Sequence, residues 1–288
     1  MNVLLIDSNS ELWFDKTRAL GLPYIKMPLT IDGQESFYDL GEHTDFDDFY
    51  RRVRAGSIPI TSALNKFNYL DTFEPYFSRG DDILYLSFSH KLSATFEQMD
   101  AAIAELKEKY PARTITVFDS KSISIGTGLQ CYYAAQEFNK HRDIEKTVAF
   151  LNEFSPRAAC YFVVDDLHFL KRGGRLSGFK AVMGTLLGVK PIIKVTDEGK
   201  LVNVDKVKGE KRVIRALTDL VKELGEDVGK YSIFVAHADC PDMGAKMVES
   251  LREAFGPEQD ITLQPVGPVI ATHCGPGTLG IAFHAKHR

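Results

Sequence analysis

The chain has 288 residues and a formal net charge of −4, which allows two domains of ordinary size and argues against a general nucleic-acid binder with its basic face. No apolar run approaches the ~18 residues that span a bilayer, and no basic or apolar leader precedes Val3-Leu-Leu-Ile6. The widely spaced Cys131, Cys160, Cys240 and Cys274 form no CxxC pair and no zinc-ligand spacing, so the expectation is a cytoplasmic protein with reduced thiols and no metal.

In chain order, Val3–Ile6 predicts a strand ending in Asp7-Ser8, and Leu12, Phe14 and Leu20 a helix. Asp7 is either a turn or cap residue or a polar group at the ligand-binding edge of a sheet. Tyr24–Leu29 predicts a second strand and Asp32-Gly33 a turn. Phe46, Phe49, Tyr50 and Val53 mark a helix that Gly56 stops. Ile58-Pro-Ile-Thr-Ser62 breaks the pattern before a helix from Leu64 to Phe77, whose aromatics Phe67, Tyr69, Phe73, Tyr76 and Phe77 are expected in the core.

Ile83–Leu86 predicts a strand, and Phe96, Met99, Ile103, Leu106 and Tyr110 recur at helical spacing. Between them, Ser87-Phe-Ser-His-Lys-Leu-Ser-Ala-Thr95 forms a strand-to-helix turn rich in hydroxyls. The free amides of a helix start favour a carboxylate or phosphate. Ser93 stands where an N-cap belongs, so it either caps its own helix or faces such a ligand. Thr114–Phe118 predicts a strand ending in Asp119-Ser120, followed by helices over Ser122–Phe138 and Ile144–Phe154. The alternation implies a mostly parallel sheet flanked by helices over 1–155.

From 156 to 288 the pattern changes to a mixed α/β domain. Strands are expected at Ala158–Val164, Val189–Val195, Leu201–Val207, Tyr231–Ala236, Ile261–Val266 and Thr278–Phe283, with a hairpin turn at Thr196–Lys200 and helices at Lys211–Leu224 and Met243–Phe255. Lys171-Arg-Gly-Gly-Arg175 is either a solvated loop or a contact for an anion or partner, since arginine forks onto carboxylates and phosphates. Phe179–Leu187 is apolar nearly all round. It predicts a core helix or a gate that opens at an anionic membrane surface.

Gly275-Pro-Gly-Thr-Leu-Gly280 fits GxGxxG, but only eight residues follow it, too few for a dinucleotide-binding βαβ unit. No GxxxxGK[ST] phosphate loop and no GxSxG nucleophile elbow is present. Ser87, Ser89, Ser93 and His90 would make a nucleophile–base set only with an orienting acid, and none is apparent.

Taken together, Asp7-Ser8, Pro59-Ile-Thr61-Ser62, the Leu92-Ser-Ala-Thr95 turn, Asp119–Gly126, Leu170-Lys-Arg-Gly-Gly-Arg-Leu-Ser177, Lys190-Pro191 and His273-Cys-Gly-Pro-Gly-Thr278 resemble, in order and spacing, the DegV family of bacterial fatty-acid-binding proteins. The resemblance covers essentially the whole chain. It implies two α/β domains, 1–155 and 156–288, clasping one long-chain fatty acid in a tunnel, and a non-enzymatic carrier with no cofactor. Such a carrier presents the carboxylate to a separate ATP-dependent fatty acid kinase subunit. It implies that Thr61, Ser93 and His273 bind the carboxylate, with Ser62, Ala94, Thr95 and Gly275 in the head-group region, and that Arg172 and Arg175 dock the kinase. Where the family usually has Gln-Pro-Ser after the Thr-Ser pair, this chain has Ala63-Leu64-Asn65; where Gly usually follows the serine, it has Ala94. The competing expectations are a serine-dependent acyl hydrolase or transferase using Ser93 and a sensor of a small carboxylate.

Overall fold

The computed structural model describes residues 1–175 and 188–288. The run Phe179–Leu187, expected as tunnel wall or gate, lies outside the described residues. In chain order the elements are β1 (Asn2–Asp7), α1 (Phe14–Ala19), β2 (Tyr24–Ile25), β3 (Met27–Ile31), β4 (Gln34–Tyr38), α2 (Phe46–Arg54), β5 (Ile60–Thr61), α3 (Lys66–Ser78), β6 (Asp82–Ser87), α4 (Thr95–Lys109), β7 (Ile115–Asp119), α5 (Ile125–His141) and α6 (Ile144–Phe154). They continue with β8 (Ala158–Val163), α7 (Leu167–Arg172), β9 (Val189–Val195), β10 (Leu201–Lys208), α8 (Glu210–Leu224), β11 (Ile233–His237), α9 (Pro241–Phe255), β12 (Ile261–Pro265), α10 (Pro268–Cys274) and β13 (Leu279–His284).

The first sheet is parallel throughout, in the order β2-β1-β6-β7. Its central strands are continuous apolar runs, Leu4–Ile6 and Ile83–Leu86, because both faces are covered. The expected strand Tyr24–Leu29 is two strands in two sheets. β2 extends the parallel sheet, and β3 turns away into an antiparallel sheet of order β4-β3-β5. Sequence patterning missed β4 because four of its five residues are exposed and mostly polar. Its register comes instead from the Asp32-Gly33 turn, where both residues have positive φ, 50° and 76°.

The second sheet is mixed, in the order β10-β9-β8-β13-β11-β12, with only the β11–β12 pair parallel. The period of two divides its residues between two environments. Tyr161, Val163, Ile281 and Phe283 pack against Val213 and Leu217 of α8 and Met247 and Leu251 of α9. Their chain neighbours Cys160, Phe162 and Gly280 line a cavity on the opposite face. α5 packs on β8, β11 and β13 from that face and also touches β1, so it lies between the two large sheets.

Core expectations hold for Tyr69, Phe73 and Phe77, which are buried, but Phe67 is 72% exposed. It lies in the first turn of α3, outside the stripe that faces β6. Two short helices, α7 and α10, were not expected. Each is under two full turns, too short to show a period of 3.6. Their signals are at their starts: Asp166 accepts the His168 amide at 2.8 Å, and Pro268 follows Gly267 in the first turn of α10. Among the described residues, no helix is long and apolar enough to cross a membrane.

Candidate functional site

A cavity with about 960 Å³ of atom-free space has walls from both halves of the chain. Much of its wall is apolar: Phe88, Ile125, Phe162, Leu170, Val269 and Ile270 all contribute. Thr61, Ser62, Ser93, Arg175 and His273, distant in sequence, also line it. β5 carries Thr61 and pairs it with Leu29 of β3. α10 carries His273 in its last turn and packs against both β3 and β5. The packing brings Thr61 Oγ1 to 2.9 Å from His273 Nε2.

The imidazole is held on its other side as well. A Cβ at Gly173 would lie 2.3 Å from His273 Nδ1, so the Arg-Gly-Gly-Arg turn approaches the ring to a distance that only glycine permits. Nδ1 is buried and has no hydrogen-bond partner. Burial, then the positive charges of Arg175 and Arg172, push the His273 pKa down to about 4. His273 is therefore neutral near pH 7. In the tautomer with hydrogen on Nε2, it donates to Thr61 Oγ1 and leaves the Thr61 hydroxyl hydrogen for a ligand.

Arg175 is half-buried, and burial lowers its pKa. Its Nε donates to Leu92 O at 3.0 Å and its guanidinium also donates to Gly173 O. Among the described residues it pairs with no carboxylate, and the segment 176–187 contains no Asp or Glu. The result is a cation fixed at the cavity wall, a natural complement to a ligand carboxylate. Arg172, by contrast, is exposed, and its guanidinium lies over the Phe169 ring at 4.9 Å.

Ser93 is not the N-cap expected of it, but its hydroxyl lies at both the helix start and the cavity wall. α4 starts at Thr95 with Ala94 as its N-cap, but Ser93 Oγ accepts the Thr95 amide at 3.2 Å while lining the cavity. Ala94, Thr95 and Gly275 are not among the cavity-lining residues. The Thr95 hydroxyl is buried against Tyr69 OH at 2.9 Å and the Leu64 amide at 3.1 Å. Gly275 abuts Phe169, whose ring would lie 2.4 Å from a Cβ there. Ala94 instead borders an adjoining cleft with Lys91, Gly174 and Lys200, and that cleft shares Leu92, Ser93, Arg175 and Leu201 with the cavity. His90 serves neither space. Its Nε2 lies 2.9 Å from Ser87 Oγ and its ring stacks on Phe96.

The family model described as "Uncharacterised protein, DegV family" matches residues 3–286. The chain belongs to the DegV family. A DegV domain-containing protein of Clostridium perfringens is 35% identical over 281 residues, 98% of this chain and 96% of the relative. A structure described as fatty acid binding of a DegV family protein from Thermus thermophilus has a TM-score of 0.86 at 26% identity, covering 99% of each chain. A fatty acid binding DegV family protein from Streptococcus agalactiae gives a TM-score of 0.85 at 27% identity, covering 100% of this chain and 99% of that one. Against the DegV pattern, the departure Ala63-Leu64-Asn65 keeps a working helix start. Asn65 Oδ1 accepts the Asn68 amide at 3.0 Å, and Asn68 Oδ1 accepts the Asn65 amide at 2.9 Å.

Sequence reading of this DegV chain passed over three polar residues around the cavity. Asn9 and Ser124 line it. Behind Ser124 lies Glu11, fully buried: its Oε1 accepts the Gly267 amide at 2.7 Å and its Oε2 lies 3.1 Å from Ser124 Oγ. Burial pushes the Glu11 pKa up to about 8. Glu11 thus ties the entry of α10 to the N-terminal half. Asp7 is a structural knot, accepting from Asn9 N at 2.9 Å, Tyr85 OH at 2.9 Å and Phe88 N at 3.3 Å, with its pKa raised to about 7 by burial. The sequence signal for Asn9 and Glu11 was the polar Asp-Ser-Asn-Ser-Glu run after the first strand, and for Ser124 the Asp119–Gly126 stretch after the strand Thr114–Phe118, places where short polar side chains serve as caps and as ligands alike.

Proposed function

We propose that this protein is a carrier that holds one long-chain fatty acid in the cavity and presents its carboxylate to a separate ATP-dependent kinase for acyl-phosphate formation. The observation that carries this reading is the polar group of Thr61, Ser93, His273 and Arg175 on the wall of an otherwise largely apolar cavity. Each buried methylene contributes about 0.8 kcal/mol, so a sixteen-carbon chain gains on the order of 10 kcal/mol before ordering costs. A carboxylate inside such a cavity is costly without donors. The hydroxyls of Thr61 and Ser93 supply donors, and Arg175 supplies the countercharge. The relatives described as fatty acid binding support the same ligand class.

Ser93 and Arg175 border both the cavity and the adjoining cleft. In this reading the cleft, with Lys91 and Lys200, is where the kinase reaches the carboxylate, and the exposed Arg172 beside it joins Arg175 in docking. A serine-hydrolase reading lacks its base, because His90 is bonded to Ser87 and not to Ser93. A small polar carboxylate would leave most of the apolar wall uncovered. Native mass spectrometry of freshly purified protein, followed by organic extraction, tests the reading. A mass excess recovered as free fatty acid is the expected result. A protein that stays lipid-free after incubation with long-chain acids would overturn it.

A further inference from the structure

Among the described residues, Asn9 is a buried polar residue of the cavity wall whose side chain makes no hydrogen bond; Ser62 makes none either, but it is exposed. Its backbone is fully used: its N–H donates to Asp7 Oδ1 at 2.9 Å and its C=O accepts the Ser124 amide at 2.9 Å. The side-chain amide makes no hydrogen bond among the described residues, and Oδ1 is buried without a partner. The residue is only 6% exposed and lines the cavity. An unpaired buried amide is costly, and an unsubstituted methylene chain passing it satisfies neither its oxygen nor its nitrogen.

The position of Asn9 is set by its neighbours. Ser8 Oγ, one residue before it, accepts the Met27 amide at 2.9 Å. Met27 lies two residues along β3 from Leu29, the partner of Thr61. Ser8, and Asn9 after it, are therefore anchored about 7 Å along β3 from the strand position that pairs with Thr61, which sets Asn9 apart from the Thr61 head-group position. Ser124 lines the cavity beside it, with its hydroxyl engaged to Glu11.

We propose that Asn9 selects acyl chains bearing a hydroxyl along their length, so that the preferred ligand is a hydroxylated long-chain fatty acid. The hydroxyl donates to Asn9 Oδ1 and accepts from Asn9 Nδ2, the pairing that a primary amide offers in one plane. This deepens the fatty-acid reading and rests on it.

The test is calorimetric titration of lipid-free protein with octadecanoic acid and a positional series of its monohydroxy isomers. At least one mid-chain isomer is expected to bind about tenfold tighter than the parent acid, a difference of about 1.4 kcal/mol. The isomer hydroxylated next to the carboxyl should show no such gain. Asn9→Leu should reverse the order, with the parent acid tighter than the isomer. Asn9→Ser, which replaces the amide by a hydroxyl that can still donate and accept, should reduce the preference without reversing it. If the parent acid binds wild-type protein as tightly as every isomer, or if Asn9→Leu keeps the wild-type order, the selection is refuted while fatty-acid binding stands. If no acid in the series binds, both readings fall. The wild-type ranking decides the matter even if neither variant folds.

Discussion

At the scale of the residue, the chemistry of the site turns on the donors around a carboxylate. Thr61 and Ser93 each offer one hydroxyl, and a hydrogen bond to a charged group is worth about 1.5–3 kcal/mol. The double variant Thr61→Ala, Ser93→Ala should therefore weaken fatty-acid binding on the order of 100-fold, read by displacement of a fluorescent acid. Single variants should each lose part of that. His273 reports occupancy. In the lipid-free protein its pKa is held near 4 by burial and by Arg175 and Arg172. A carboxylate brought beside it favours the charged ring, so its pKa should rise on loading. NMR titration of the imidazole carbon-bound protons checks this, and an unchanged pKa in loaded protein would place the carboxylate elsewhere. Glu11 gives a stability prediction with a definite sign. Its folded pKa of about 8 lies above the ordinary glutamate value of 4.5, so the folded state holds the proton. Its contribution is complete below about pH 4.5 and lost as pH rises through about 8. Glu11→Gln keeps the neutral shape and both bonds. Its urea midpoint should fall less steeply than wild type between about pH 7 and 9, a range above the His273 transition.

At the scale of the element, three short pieces build the polar wall: β5, α10 and the turn after α7. None is stable alone, and each is pinned by contacts distant in sequence. α10 enters through Gly267, whose amide is held by Glu11, and the preceding Val266 carbonyl accepts from Tyr50 OH at 2.6 Å. Gln264 Nε2 adds a bond to Glu11 O at 2.6 Å. The turn after α7 contributes Gly173 against the His273 ring. Gly173→Ala should push the imidazole away from Thr61, reducing fatty-acid affinity several-fold; with an ordinary helical φ of −71° at Gly173, the cost in stability, about 1–3 kcal/mol, comes from overpacking against the ring and not from backbone strain. A crystal structure or a His273 titration of the variant distinguishes ring displacement from unfolding. Sequence patterning could not place these pieces. Runs of two to seven residues carry no period, and their positions come from partners elsewhere in the chain. The long helices were legible for the opposite reason: α2, α8 and α9 each carry a buried stripe at helical spacing, such as Val213, Leu217 and Val221.

At the scale of the whole molecule, the cavity depends on how the two halves are held. Arg288 is a buried cation without a carboxylate partner among the described residues: it donates to Ser155 O at 2.7 Å, Lys121 O and Ser120 O at 2.6 Å, and Ser155 Oγ at 2.9 Å. It ties β13 and its extension to the loop before α5 and the turn after α6. Arg288→Ala removes four hydrogen bonds from this junction, although Ser120 O keeps those from Gln130 Nε2 and Ser155 Oγ, and Ser155 O keeps the Ala158 amide. It should lower stability by on the order of 2–3 kcal/mol, measured by urea denaturation, and should reduce fatty-acid retention through loss of the interface. The two-domain division expected at residue 155 would fall between α6 and β8, yet α5, ahead of it in sequence, packs on the second sheet. A helix buried between two sheets shows no one-sided stripe, so nothing in its pattern indicated which sheet it would cover.

The sequence by itself determined the α/β class, the parallel first sheet, the mixed second sheet with its hairpin, and the family, because these depend on local period, turn chemistry and an ordered set of short motifs. Through that ordered set it singled out Thr61, Ser93 and His273 for the carboxylate, and Arg175 with Arg172 for docking a partner. Only the tertiary structure decided that Thr61 meets His273, that Arg175 lines the cavity while Arg172 is exposed, that Thr95 is spent on Tyr69 and Leu64, and that Asn9 faces the cavity with its amide unused. The physical reason is that a side chain's role depends on what desolvates and pairs with it, and those partners lie tens to hundreds of residues away.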